Sequence, residues 1–198
     1  MNKKIILDLC GGTGAWSKPY FENKEEYEVI NVTLPYYDVR LYIPPKNVYG
    51  ILAAPPCTMF AISGARWRLE EKRNGTYEAK IKEALSIVDA CLRIIYVSNP
   101  KFWCLENPVG ILVNWLGKPK MYFNPCDYGD PYTKKTCLWG NFNVPKKNPI
   151  EPKIVRFQNG KRMSEWYIKT SSLSKEERTK IRSITPPGFA KAFYEANR

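Results

Sequence analysis

Ile5-Ile6-Leu7-Asp8-Leu9-Cys10-Gly11-Gly12-Thr13-Gly14 is a short apolar run that ends in a carboxylate and then a glycine-rich turn. Such a run reads as a strand buried in a parallel sheet, delivering a loop to its carboxyl end. Open α/β sheets bind their ligands there. The glycines let the backbone approach a ligand closely, and the strand-end carboxylate can accept its polar hydrogens. Taken alone, a turn of this kind is weak evidence, since a plain strand-to-helix connection is the other reading.

Further strands are expected over 28–32, 49–53 and 102–105. Between 76 and 97, Ile81, Leu85, Val88, Leu92 and Ile95 recur at spacings of three and four, which predicts an amphipathic helix packed on the sheet. Alternating strands and helices with right-handed crossovers give an α/β, doubly wound, Rossmann-like sheet. After Tyr128, Pro131, Pro145, Pro149 and Pro152 punctuate a Lys- and Asn-rich stretch. Loop, short strands or a small irregular insert are expected there, and regular helices are not. Ser174-Lys175-Glu176-Glu177 starts a short helix with a capping box, and a last helix over 189–196 follows Pro186-Pro187-Gly188.

At 198 residues with 44% hydrophobic content, the chain suits one well-buried domain, 1–198. Thirty-one Lys and Arg against 19 Asp and Glu leave a net charge of +12, which concentrates a polyanion, nucleic acid above all, on a basic face. With no C-x-x-C pair among the six cysteines and no histidine, a metal site has little to build on. No apolar stretch is long enough to cross a bilayer and the N-terminus carries no signal region, so a reducing cytoplasm with free thiols is expected.

Two more loops carry chemistry. Ala54-Pro55-Pro56-Cys57-Thr58-Met59-Phe60-Ala61-Ile62-Ser63-Gly64 sets a cysteine behind two rigid prolines at a strand end, so its thiol is presented rather than packed. Cys10, Cys91 and Cys104 read instead as packed thiols. Leu105-Glu106-Asn107-Pro108 ends the next strand with a carboxyl group that burial would keep protonated, unless it pairs with one of the many lysines.

In residues and in order, the three loops resemble the C5-cytosine DNA methyltransferase family. Asp8, Gly12 and Gly14 fall on its cofactor loop, Pro56-Cys57 on its catalytic Pro-Cys, and Glu106-Asn107 on its Glu-Asn pair. Tyr128-Gly129-Asp130-Pro131 resembles the segment before its basic strand, and residues 186–193 its C-terminal helix. The resemblance implies S-adenosylmethionine as cofactor, DNA as partner and methyl transfer to carbon 5 of cytosine through a Cys57 adduct. It assigns Cys57, Glu106, Lys134 and Thr136 to catalysis. Cofactor contacts are implied for Asp8, Leu9, Cys10, Gly12, Gly14, Trp16, Thr33, Leu34, Asp38, Val39, Pro55, Ser183 and Thr185. Base and substrate contacts are implied for Pro56, Phe60, Ser63, Gly64, Arg66 and Asn107, with loop 58–66 closing behind a flipped base.

The chain also departs from the family. Thr33 stands where an acidic ribose ligand is usual, and Tyr132-Thr133-Lys134-Lys135-Thr136 replaces a Gln-x-Arg-x-Arg strand, with a lysine that cannot imitate a planar fork. The recognition region shrinks to 138–181. Its basic and aromatic residues suit phosphate contacts and stacking, or are a solvated loop. Relaxed specificity, a single-stranded target, or a protein partner that supplies recognition are the expectations that follow. A non-catalytic nucleic-acid-binding subunit and an RNA cytosine methyltransferase are the alternative readings. The small size suits a virus or mobile element, hence a host cytoplasm.

Overall fold

The computed structural model describes residues 2–198 as a mixed α/β fold around a six-stranded sheet. β1 (Lys4–Leu9) leads through the glycine turn to the short helix α1 (Lys18–Glu22), opened by Pro19, and then to β2 (Tyr27–Val32). β3 (Val48–Ala53) follows, then α2 (Ala65–Arg73) and the 22-residue α3 (Tyr77–Ser98). Asn99, left-handed at φ 43°, ends α3 one residue before Pro100, where the chain cannot stay helical. β4 (Phe102–Pro108), α4 (Val113–Leu116), β5 (Met121–Phe123) and β6 (Thr136–Asn141) complete the sheet.

The strand order is β2-β1-β3-β4-β6-β5. β2, β1, β3 and β4 run parallel, in register Leu9 with Val32 and Ala53, and Ala53 with Leu105. β6 turns antiparallel to β4, pairing Glu106 with Leu138. β1 goes on to β2 on one side and the chain then returns to β3 on the other, so the order reverses between β1 and β3. Loops leaving those two strands diverge, and the crevice between them is the ligand position of such sheets.

Each face of the sheet is covered. α3 buries Ile81, Val88, Cys91, Ile94 and Ile95 on one side, against Leu7, Ile51 and Leu105. On the other, α1 and α7 (Pro187–Ala196) contribute Tyr20, Phe189 and Phe193, which pack on Trp16, Leu52 and Phe102. Tyr20 also donates its hydroxyl to the Asn197 carbonyl, which ties α1 to the chain beyond α7. Among the described residues no helix is long and apolar enough to cross a membrane.

The stretch after Tyr128 is more regular than its prolines suggest. Residues 138–141 belong to β6 of the main sheet. Beyond them β7 (Ile154–Arg156) and β8 (Arg162–Ser164) form a two-stranded antiparallel ribbon, followed by α5 (Glu165–Ser171) and α6 (Lys175–Ser183). The helix α5 corrects the expectation of no regular helix between Tyr128 and Ser174. All the prolines of the stretch lie at or before 152, and Glu165 and Lys169 close an i,i+4 ion pair at 2.7 Å, an arrangement that favours a helix. α6 begins as expected, with Ser174 Oγ accepting from the Glu177 amide. The predicted basic strand is only partly one, since Tyr132–Lys135 are loop and β6 starts at Thr136.

Candidate active site

A cavity of about 100 Å³ opens at the carboxyl ends of β1, β3 and β4. Three loops and the α6–α7 link wall it. From β1 come Asp8, Cys10, Gly11, Gly12, Thr13 and Trp16; from β3, Ala54, Pro55, Pro56 and Cys57. β4 gives Glu106 and Pro108, the loop before β6 gives Lys134, the end of α6 gives Arg182 and Ser183, and the link to α7 gives Thr185.

Asp8 sits beneath the glycine loop. It is fully buried, and a Cβ on Gly11 would meet its Cγ at 2.3 Å, so only glycine passes over the carboxylate. Gly12 and Gly14 take φ of 53° and 70°, and Cys10 joins them at 57°, a conformation that β-carbons resist. Ser17 donates its hydroxyl to Asp8 Oδ2 at 2.6 Å, while Oδ1 has no partner. Burial pushes the Asp8 carboxyl up to about 6, against the opposing effect of Ser17. Trp16 Nε1 is also buried and unpaired beside the same loop. An unmatched acceptor and an unmatched donor, each costly to bury, mark this wall as built for a polar ligand.

The loop that carries Cys57 is held from β4. Asn107, buried, donates Nδ2 to the Pro55 carbonyl at 2.9 Å. The Cys57 carbonyl accepts from the Phe60 and Ala61 amides, and Phe60–Ile62 is laced to the loop after β4 by Ile62 N–H to Val109 and Ile111 N–H to Phe60. At Gly110 the crossing is so close that a Cβ would lie 1.9 Å from the Phe60 oxygen. Arg68, buried on α2, donates to the Ala61 carbonyl at 2.6 Å. Cys57 and Glu106 therefore share one backbone-bonded support.

Burial raises the Cys57 thiol, and the Glu106 carboxyl raises it further, while Lys134 lowers it. Glu106 is likewise raised by burial and lowered by Lys134. Burial thus pushes both groups toward their protonated forms, and one ammonium opposes it at each. Lys134 Nζ donates to the Arg182 carbonyl at 2.8 Å.

Of the residues singled out in the sequence, Asp8, Cys10, Gly12, Trp16, Pro55, Pro56, Cys57, Glu106, Lys134, Ser183 and Thr185 come together at this cavity. Others lie off it. Leu9 and Phe60 are core, and Val39 is buried on the α3 side. Asp38 is held by Arg40, which binds both carboxylate oxygens and keeps the acid down at about 2. Leu34 is exposed, as are Ser63 and Arg66, which flank the start of α2; Gly64 is buried against the Thr58 backbone. Thr33 and Gly14 do not line the cavity. Thr136, buried, turns its hydroxyl back onto the Lys134 carbonyl at 2.8 Å and presents nothing to the cavity. Gly11, Thr13, Ala54, Pro108 and Arg182 line it without having been assigned a contact; Arg182 stands where the resemblance has a glycine, which gave no reason to expect a role for it.

Fold and site together define an α/β protein with a glycine-loop ligand niche beside a thiol–carboxyl pair. Among known proteins, the chain is 26% identical over 160 residues to the type II methyltransferase M.DdeI of Desulfomicrobium norvegicum, covering 70% of this chain and 35% of that protein. The chain thus spans about a third of the length of the relative it matches. Two solved structures superpose in part. One is described as a prophage-encoded DNA modification methyltransferase of E. coli, at 17% identity and TM-score 0.43 over 76% of this chain and 52% of that one. The other is the Entamoeba histolytica methyltransferase EhMeth, at 10% identity and TM-score 0.41 over 78% and 59%. No protein-family model matches the chain.

Proposed function

We propose that the chain is an S-adenosylmethionine-dependent DNA methyltransferase that acts on carbon 5 of cytosine through a covalent Cys57 adduct. The observation that carries this reading is the convergence of Cys57, Glu106 and Lys134 with the glycine loop on one cavity. Similarity to a type II methyltransferase supports the reaction class.

The residues present fit the cofactor. Asp8 Oδ1 and Trp16 Nε1 offer an unused acceptor and donor, and the glycine loop leaves its backbone open. A cavity of about 100 Å³ is below the ~300–1,000 Å³ of a full ligand pocket, so a ligand of adenosyl size would extend over the loop. When bound, the cofactor supplies a methyl group on a cationic sulfur.

Cytosine carbon 5 is a poor nucleophile until something adds to carbon 6. Cys57, once deprotonated, forms the Sγ–C6 bond, and the ring's electron pair moves toward nitrogen 3. Glu106, whose carboxyl burial pushes toward the protonated form, would donate in that form to nitrogen 3 and stabilise that charge. Carbon 5 would then accept the methyl group that the bound cofactor supplies; its proton would pass to solvent, nitrogen 3 would return its proton to Glu106, and the Sγ–C6 bond would break to restore the aromatic ring and the thiolate. Lys134 favours the thiolate throughout.

The ribbon β7–β8 is the surface that would hold the nucleic acid. Residues 152–164 carry Lys153, Arg156, Lys161 and Arg162 and no acid. Arg156 and Arg162 pair directly across the ladder, an arrangement that costs stability unless a polyanion neutralises it. Exposed Phe157 stands at the turn. Contacts of this kind fix position more than sequence, which agrees with relaxed specificity or with recognition supplied by a partner.

The test is incubation with S-adenosylmethionine and single- or double-stranded DNA, digestion to nucleosides, and mass detection of 5-methylcytosine. Formation by the native chain and its loss in Cys57→Ala, with DNA binding retained, is the expected result. Methyl transfer that survives Cys57→Ala refutes the covalent route.

A further inference from the structure

The ammonium in the cavity has a support that the chemistry above does not use. The carbonyl that accepts from Lys134 belongs to Arg182, in the last turn of α6. Carbonyls there have no partner within the helix and carry the negative end of its dipole, so they suit a cation. The Arg182 side chain points the other way, onto α5. Its Nε donates to Thr170 Oγ1 at 2.9 Å, and its Nη2 to the Tyr167 carbonyl at 3.0 Å and to Ser171 Oγ at 2.8 Å. The guanidinium also lies 4.0 Å from the Tyr167 ring centroid. Thr170 is itself buried. A planar fork with three hydrogen bonds and a stacking partner has one geometry.

We propose that Arg182 is a positioning residue: by locking the end of α6 onto α5 it aims its carbonyl at Lys134 and so holds that ammonium on the Cys57–Glu106 side of the cavity. The inference rests on Cys57 as the nucleophile. The charged groups that share the cavity with Cys57 are Asp8 from β1, Glu106 from β4, Lys134, and Arg182 from α6. Two of them are carboxyls, and the Arg182 guanidinium is committed to α5. Lys134 is therefore the counterweight to negative charge at the thiol, and its placement depends on a contact some 50 residues away in sequence. A shift of α5 is transmitted along Thr170, Arg182 and Lys134 to the nucleophile.

The test uses the full chain without cofactor or DNA. Iodoacetamide alkylation of Cys57 is followed between about pH 6 and 10 by mass spectrometry of its peptide, since the thiolate is the reacting form. Arg182→Ala is expected to slow alkylation at about pH 8 by about threefold or more and to move the profile to higher pH, as Lys134→Met does. The double variant should be no slower than Lys134→Met, and Arg182→Lys should fall between. Thr170→Val, which removes one bond only, should move the profile the same way by less, and stands in if circular dichroism shows Arg182→Ala unfolded. An unchanged Cys57 profile in Arg182→Ala or Thr170→Val, or single effects that multiply in the double variant, would overturn the proposal. A shifted profile in a chain that makes no 5-methylcytosine would retire the proposed reaction and leave the role of Arg182 standing.

Discussion

Asp8→Asn gives the sharpest quantitative test of how the site is built. The native carboxyl is fully buried with one hydrogen bond, from Ser17, and its pKa is raised from 3.8 to about 6. A group whose folded pKa lies above its unfolded value stabilises the fold fully below the unfolded pKa, and that contribution is lost as pH rises through the folded one. At ~1.4 kcal/mol per pKa unit, the loss is about 3 kcal/mol between about pH 3.5 and 7. For a chain of this size that is roughly 6–12 °C in Tm. Asparagine does not titrate. Its new buried N–H adds a fixed offset of about 1–3 kcal/mol, which cancels when only the pH dependence is compared. Urea unfolding of both proteins at a series of pH values should therefore show the stability difference moving in favour of Asp8→Asn by about 3 kcal/mol across that window. Parallel curves would refute the assignment of a strained, buried carboxylate beneath the glycine loop.

Three further outcomes follow from the geometry. Because burial raises both Cys57 and Glu106, thiolate and acid coexist as a constant minority between their two pKa values; native kcat/KM should be flat there, while Glu106→Gln, which cannot lose a proton, should climb about tenfold per pH unit. Profiles of the same shape would remove Glu106 as the acid. Arg156→Ala and Arg162→Ala should each reduce the slope of log binding constant against log salt by about 1 with any DNA sequence, read by fluorescence anisotropy; an unchanged slope would take the ribbon off the nucleic acid. Gly110→Ala should cost about 1–3 kcal/mol by overpacking and slow alkylation or turnover at Cys57, since the added Cβ meets the Phe60 oxygen; a neutral effect on both would show that the two loops are not a rigid unit.

The sheet was legible where local signals agreed. The apolar run before Gly11, the spacing of Ile81, Val88 and Ile95, and the Ser174–Glu177 box each encode their structure within a few residues. What the sequence hid is long-range. That β6 runs antiparallel to β4 depends on pairing across some 30 residues, and α5 was masked by prolines that all precede it. At the site, residue types pointed to Asp8, Cys57 and Glu106, which converge with Lys134, the residue the resemblance added. Position in a motif was a poorer guide to side-chain direction: Thr136 turns onto the backbone, and Asp38 is taken by Arg40 two residues on. Arg182 was invisible because its function here lies in a backbone carbonyl, and every residue has one.

The burial of Trp16 by Phe189 and Phe193 has a consequence for synthesis. The glycine loop is made early, yet the aromatic wall that supports it and the Asn197 carbonyl that receives Tyr20 are made about 170–180 residues later, which at ~5–20 residues per second is roughly 10–35 s. Throughout that interval Trp16 lacks its Phe189 and Phe193 partners, while Tyr20 has Tyr27 and later Phe102 against it but not Tyr194. The wall behind the ligand niche is therefore completed only once residues 187–197 have been made, and a chain stopped before residue 187 lacks the aromatic contacts that fix Trp16 beside the glycine loop.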